Sequence, residues 1–306
     1  MQVFRGIPAA AADHVALTIG NFDGVHCGHQ AMLTRLTEAA CDLDLPPTVL
    51  TFEPHPREFF AAAAAPARLS TLRDKLERFA ELGVARVCIA RFDAALARLD
   101  ADRFIDEVLV RGLGTRWVVV GSDFRFGRGR GGDLALLRAS GRTFSVETMP
   151  TVSVGGERAS SSAIRDALSR GELEQAARLL GRPYAISGHV VHGDKRGRGL
   201  GFPTANLRLR HKPPLSGIFA VRVRGVGDSP RAAVASLGVR PTIKPDAPPL
   251  LEVFVFDFDQ SIYGRCIRVE FLHKLRDEER YADLDALKRQ IHADVAQARD
   301  YFATQK

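Results

Sequence analysis

The stretch HVALTIGNFDGVHCGH, residues 14–29, decides the fold. Residues 14–20 form an apolar run with the length of a buried strand. From residue 29 to 41 the apolar residues fall at Met32, Leu33, Leu36 and Ala40, which is helical spacing. Between the two, Gly20, Gly24 and Gly28 let the main chain come close to a ligand where the helix's first N–H groups are free. His26 and His29 lie three residues apart at the helix start, so both rings can point at one phosphate. Taken alone, HxGH also fits a turn with two solvent-exposed histidines.

Outward from this stretch the alternation continues: strands at 47–52, 85–90 and 116–121, helices near 72–82 and 101–111. That order predicts a parallel sheet with crossover helices, an arrangement that binds ligands at the carboxyl ends of its strands. Helical segments at 163–168 and 173–180 end at Gly181, Arg182 and Pro183, which sets a domain boundary and predicts domains 1–183 and 184–306. Beyond it, strand-like runs at 185–192, 217–226, 232–237, 250–258 and 266–275 are separated by Gly and Pro clusters. They predict a small antiparallel β-barrel or sandwich. A closing helix at 283–302 carries Leu284, Leu287, Ile291, Val295 and Ala298 on one face.

Composition narrows the function classes. The 306 residues, 45% hydrophobic and 26% charged, suit a two-domain globular chain. No apolar stretch approaches the roughly 20 residues of a spanning helix, and residues 1–12 lack the features of a signal peptide. Cys27, Cys41, Cys88 and Cys266 form no CxxC pair, which suits a reducing, cytoplasmic setting without a zinc site. Six of the seven net positive charges fall in residues 185–306, so an anionic ligand is expected there. A basic nucleic-acid-binding protein is the rival from another class, but the basic residues alternate with acids rather than forming a stripe.

GNFDG with HxGH after a strand resembles the nucleotidyltransferases, and in particular the prokaryotic bifunctional riboflavin kinase/FMN adenylyltransferases. TFEPHPREFF (51–60), VVVGSDFRFGRGRGGD (118–133) and SSSAIR (160–165) resemble that family's adenylyltransferase motifs in order, with Ser162 where the family has threonine. The resemblance implies a Rossmann-like α/β domain that transfers AMP from ATP to FMN and releases pyrophosphate. It places His26, His29 and Arg165 as catalytic and Gly20, Asn21, Phe22, Gly24, Ser161 and Ser162 around ATP. Asp23, His55, Asp123, Phe124 and Phe126 would meet the flavin, Arg68 being a weaker candidate for the FMN phosphate. His55 also reads as a rigid turn, Phe124 and Phe126 as core packing, and Arg125, Arg128 and Arg130 as either a phosphate-touching loop or solvated charge.

The second motif, HGDKRGRGLGFPTAN (192–206), is a glycine-rich basic loop without a Walker A pattern. It resembles the flavokinase phosphate loop, the mark of a small antiparallel barrel with a closing C-terminal helix. That resemblance assigns Gly193, Lys195, Gly197 and Gly199 to ATP, and Thr204 and Asn206 to ATP and magnesium. In LEVFVFDFD (251–259) it makes Glu252 the general base for phosphorylating riboflavin, with Phe254 replacing the family's usual histidine. In ASLGVRPTI (235–243) Ser236 replaces an asparagine, and Arg276 in KLRDEERY is expected on the flavin side. The substrates implied are ATP, riboflavin and FMN, with FAD as product. Neither nucleic acid nor membrane is expected as a partner, and a weak homo-oligomer is. A nearer alternative keeps the fold and changes the phosphate substrate.

Overall fold

The computed structural model describes residues 1–140, 143–193, 202–238 and 249–305. These form two compact units: Met1–Pro66 with Leu72–Ser160, and Ala67–Thr71 with Ser161–Lys306.

The first unit is built on six strands: β1 (Gln2–Arg5), β2 (Val15–Ile19), β3 (Pro47–Glu53), β4 (Arg86–Arg91), β5 (Thr115–Gly121) and β6 (Ser145–Met149). All pair in parallel, in the order β1-β4-β3-β2-β5-β6. Every residue of β2 is buried, as a central strand covered on both faces requires. Alternate side chains feed two cores: Leu17, Leu50, Val118 and Val120 join Ile105 and Leu109 on one face. Ala16, Val49 and Val119 join Leu33, Leu36 and Phe79 on the other. The helices are α1 (Cys27–Asp42), α2 (Pro56–Phe60), α3 (Leu72–Glu81), α4 (Ala94–Arg98), α5 (Ala101–Arg103) and α6 (Leu134–Ala139). From β2 the chain moves outward through β3 and β4, whereas β5 and β6 lie on the other side, so the strand order reverses between β2 and β5. The crevice at the carboxyl ends of those two strands is where an open α/β sheet takes its ligand, and both GNFDGVHCGH and GSDFRFG leave the sheet there.

Three features escape the sequence pattern. β1 is an edge strand with all four residues exposed, and β6, the other edge, is only half-buried, so neither shows a buried run. The helix expected at 101–111 is instead the single turn α5 followed by a π-wound stretch, Phe104–Gly112, closed by Leu113 N–H to Val108 C=O. Its buried residues Phe104, Ile105, Val108, Leu109 and Leu113 recur at four to five, which the wider winding brings into line.

In the second unit, helices α7 (Ser161–Arg170) and α8 (Leu173–Leu180) pack on each other, α8 ending at left-handed Gly181. A two-stranded hairpin, β7 (Ser153–Val154) and β8 (Glu157–Arg158), precedes them in the first unit. The barrel strands are β9 (Ala185–Val191), β10 (Ala205–Arg208), β11 (Gly217–Arg224), β12 (Arg231–Gly238), β13 (Leu250–Val255) and β14 (Cys266–Arg276). They close in the antiparallel order β10-β13-β12-β11-β14-β9, leaving no free edge. The barrel alternative of the sequence reading therefore holds and the sandwich does not. Leu251, Val253 and Val255 are buried while Leu250, Glu252 and Phe254 are half-buried on the other face. Compactness groups α7 and α8 with the barrel, α8 touching β14, whereas the sequence boundary at 183/184 falls after them.

The last helix, α9 (Leu284–Thr304), starts at Asp283, whose carboxylate accepts the Ala286 N–H at 2.7 Å. Val295, Ala298, Tyr301 and Phe302 pack on Ile218, Ala220, Val234 and Phe256 of the barrel. Leu284, expected on this apolar face, is 68% exposed because the packing begins further along the helix.

Candidate active sites

The loop after β2 is held in an unusual shape. Phe22, Gly24 and Val25 have φ of 50°, 80° and 41°. For the two non-glycines such a backbone costs about 1–3 kcal/mol each and persists only where packing fixes it. Phe22 and Val25 are almost wholly buried, and the Phe22 ring meets Phe79 edge-on at 5.4 Å and His29 at 5.0 Å. His26 caps α1, its Nδ1 accepting the His29 N–H at 3.3 Å, so a neutral His26 carries its hydrogen on Nε2. The two imidazoles stack at 3.6 Å and 21°. Solvent-exposed histidines, the bland reading, are thus excluded for His26, which is buried. Gly28 allows the stack: a Cβ there would meet the His26 ring at 3.2 Å and the Ala159 carbonyl at 3.3 Å. His29 is held well below the ordinary imidazole range, by burial first, then by His26 and by Lys75. Two polar atoms in this loop, Asn21 Oδ1 and His29 Nδ1, are buried with no hydrogen-bond partner. Orphans of that kind mark where a ligand's polar groups arrive. Asn21, Phe22, Asp23, Gly24 and His26 are brought into this one loop, with His29 on the first turn of α1 and Gly20 directly after β2.

At the carboxyl end of β5, Asp123 pairs with Arg158 at 2.6 Å. A Cβ on Gly121 would meet Asp123 Oδ1 at 3.3 Å and Met32 of α1 at 3.8 Å, so α1 and this turn are neighbours. Phe124 and Phe126 stack at 5.5 Å, as their alternation predicts, but Phe126 is 6% exposed, lies in the core against Phe104, and bridges by backbone to Gly132. That placement favours the core-packing alternative for Phe126. His55 likewise caps α2, accepting the Arg57 N–H on Nδ1 at 3.1 Å while its own N–H donates to Glu58 at 3.3 Å. That cap fits the rigid-turn alternative for His55. Beside it, Phe59 and Phe60 form with Phe92 an exposed aromatic cluster that the sequence reading passed over, Phe60 being 67% exposed. Arg158 was also missed; an arginine two residues ahead of the SSS run was its signal. Arg125 is paired with Asp133 at 3.2 Å, while Arg128 and Arg130 lie on a tight turn after left-handed Gly127.

Ser161 and Ser162 stand on the first turn of α7 in the second unit, where Arg165 Nε donates to the Ala67 carbonyl at 2.6 Å.

In the barrel, Asn206 of β10 lies opposite Glu252 of β13, which lies opposite Ser236 of β12. Side chains in register on adjacent antiparallel strands share a face, so the three make one row. Asn206 Nδ2 donates to the Thr204 carbonyl at 3.0 Å, and Asn206 Oδ1 is buried with no partner. A Cβ on Gly193 would fall 2.6 Å from that amide. Thr204, Asn206 and Gly193 line a cavity of about 260 Å³, bounded also by Phe258 and by Tyr263, whose ring lies 3.8 Å from that of His192. Lys195, Gly197 and Gly199 lie outside the described residues. Gly193→Ala is expected to cut riboflavin phosphorylation at least 10-fold, with FAD formation from supplied FMN unchanged, since the added methyl displaces the Asn206 amide; steady-state rates of the two half-reactions check this.

Gly238, two residues on from Ser236 and on the same face, is where the Glu278 carboxylate sits; a side chain there would occupy the carboxylate's place. Glu278 is pushed above the usual carboxylate range by burial and then by Glu252. The sequence reading quoted KLRDEERY but took only Arg276 from it. Arg276, expected on the flavin, has its fork closed on Asp294 of α9 at 2.7 Å through both Nε and Nη2, and Nη1 on the Asp277 carbonyl. It ties the closing helix to β14, a role sequence could not separate from a flavin contact. Phe254, in the usual histidine's place, packs edge-on against Phe202 at 5.3 Å.

One unit thus carries a histidine-capped loop at the switch point of a parallel sheet, and the other a closed barrel with a glycine-edged row of oxygens. Residues 9–163 match the FAD synthetase family and residues 180–302 the riboflavin kinase family. Over the whole chain and 99% of its relative, it is 46% identical to the bifunctional riboflavin kinase/FMN adenylyltransferase of Escherichia coli (strain K12). It is 47% identical to that of Pseudomonas fluorescens, over 98% of this chain and 97% of the relative. A crystal structure described as a macrolide-efflux protein from Streptococcus pneumoniae superposes with a TM-score of 0.79 at 27% identity, covering 98% of this chain and all of that one. The chain belongs to the bifunctional riboflavin kinase/FMN adenylyltransferases. It phosphorylates riboflavin to FMN with ATP and adenylylates FMN to FAD with release of pyrophosphate.

Proposed function

We propose that adenylyl transfer runs on the β2–α1 loop and phosphoryl transfer on the Asn206–Glu252 row, within domains 1–183 and 184–306. The observation that carries the first assignment is the stacked His26–His29 pair at the strand-order reversal, with His29 Nδ1 and Asn21 Oδ1 awaiting partners. An FMN phosphate oxygen attacks the α-phosphorus of ATP, the new P–O bond forms as the α–β bridge breaks, and pyrophosphate leaves. His26 Nε2 and His29 act by hydrogen bonding to the phosphates, neutral His29 needing no proton to be lost first. Gly20, Asn21, Phe22 and Gly24 shape the ATP side; Ser161 and Ser162 are assigned to ATP, and Arg165 to catalysis, through the family resemblance of SSSAIR. Asp23, Asp123 and Phe124 face the flavin, joined by Arg158 and the open face of Phe60.

In the kinase centre Glu252 accepts the proton of the ribityl hydroxyl as its oxygen bonds to the γ-phosphorus and ADP leaves. Glu278 shares this carboxylate environment, and Arg276 holds α9 against the barrel that binds riboflavin. Thr204 and Asn206 fit magnesium: a hydroxyl and an unpartnered amide oxygen are hard donors, and magnesium keeps most of its ligands as water and phosphate. When bound, the ion offsets the charge of the β- and γ-phosphates. Gly193, Lys195, Gly197 and Gly199 complete the phosphate loop. Chelation of divalent metal with EDTA is expected to stop FMN formation, and added magnesium to restore it; full activity in EDTA would remove the metal from the account.

The proposed setting is cytoplasmic, in keeping with four free cysteines, of which Cys88 is pushed up to about 11 by burial. Among the described residues no helix is long and apolar enough to cross a membrane. Nucleic acid is not proposed as a partner; a weak homo-oligomer is.

A further inference from the structure

Lys75, on α3, is 4% exposed, a burial that lysine reaches only where its ammonium is held. Its Nζ donates to the Asn21 carbonyl at 3.3 Å. One helical turn further, Phe79 holds the Phe22 ring edge-on, and Phe22 in turn meets His29. A single face of α3 thus grips the left-handed loop twice, once by charge at Asn21 and once by packing at Phe22. A helix needing only to cover the sheet would place leucine at position 75, in line with Leu72, Leu76 and Phe79.

We propose that Lys75 is a positioning residue of the adenylyl-transfer half-reaction, an ammonium that locks the Asn21–Val25 loop and sets a permanent positive charge beside the paired histidines, where a nucleoside triphosphate's negative charge has to arrive. The proposal rests on the assignment of ATP to this loop. Lys75 also lowers the proton affinity of His29, so the ring remains a neutral donor over the working pH range. The ionisable groups that face His29 are His26 from its own loop and Lys75 from α3; Asp23 is the buried carboxylate of the same loop.

The test uses the full chain with FMN, ATP and magnesium, and follows FAD formation against pH, with riboflavin phosphorylation by the same samples as the control for folding. Lys75→Met is expected to lower adenylylation on the order of 10- to 100-fold. Its acid limb should also move to higher pH, because His29 regains a proton more readily once the neighbouring charge is gone. Lys75→Arg, which keeps the charge but changes the reach, is expected to lose rate while its acid limb stays with the parent's. An unshifted limb with adenylylation within twofold of parent in Lys75→Met would overturn the proposal. If Lys75→Met loses kinase activity as well and so fails to fold, a limb shifted in Lys75→Arg would overturn it. His29→Ala in the same assay separates the two readings: full activity there defeats the site assignment itself, whereas a dead His29→Ala beside a normal Lys75→Met defeats only the role of the lysine.

Discussion

His29→Ala is expected to cut FAD formation by at least 10²-fold, on the scale seen when one preorganised donor is removed from a reacting phosphate or acyl group. FMN should accumulate from riboflavin and ATP at the parent rate. The reason is local. His29 supplies a ring that burial keeps neutral, stacked at 3.6 Å on an N-cap histidine whose orientation it shares. Alanine leaves that cap in place, because His26 accepts from the backbone N–H of residue 29, which the substitution retains. The helix therefore persists while the donor is lost. Chromatography of flavins after incubation with ATP and magnesium reads both half-reactions at once, and FAD at the parent rate would refute the assignment.

Glu252→Gln is expected to do the opposite. Riboflavin phosphorylation should fall by about 10²- to 10⁴-fold, the usual range for loss of a general base, while FMN supplied from outside is still converted to FAD. Glutamine keeps the shape of the Asn206–Glu252–Ser236 row and takes away the capacity to accept the ribityl proton. It also removes a like charge from Glu278. A variant that phosphorylates riboflavin normally would exclude Glu252 as the base.

Local pattern carried the fold wherever burial was one-sided or complete. β2, buried at every position, and α1, with Leu33 and Leu36 fully covered, were legible from 14–41. The exposed edge strand β1 and the half-polar β6 were not, because nothing in QVFR or SVETM alternates against a core. Residues inside a motif could be named as candidates, yet their individual duties were not separable. His55 reads in sequence as a ligand contact or a rigid turn, and Phe126 as a ligand contact or core packing; in space His55 caps α2 and Phe126 lies in the core, neither of which pattern alone could tell. Lys75 and Glu278 went unseen for a different reason: their meaning comes from long-range neighbours, Asn21 in one case and Gly238 with Glu252 in the other.

The central claim, two separate centres in one chain joined by FMN, is tested most directly by mixing the two single-site variants. Given riboflavin, ATP and magnesium, His29→Ala alone should stop at FMN and Glu252→Gln alone should leave riboflavin unchanged. Combined, they should make FAD, because one supplies the FMN that the other adenylylates. A mixture that forms no more FAD than either variant alone would contradict the account.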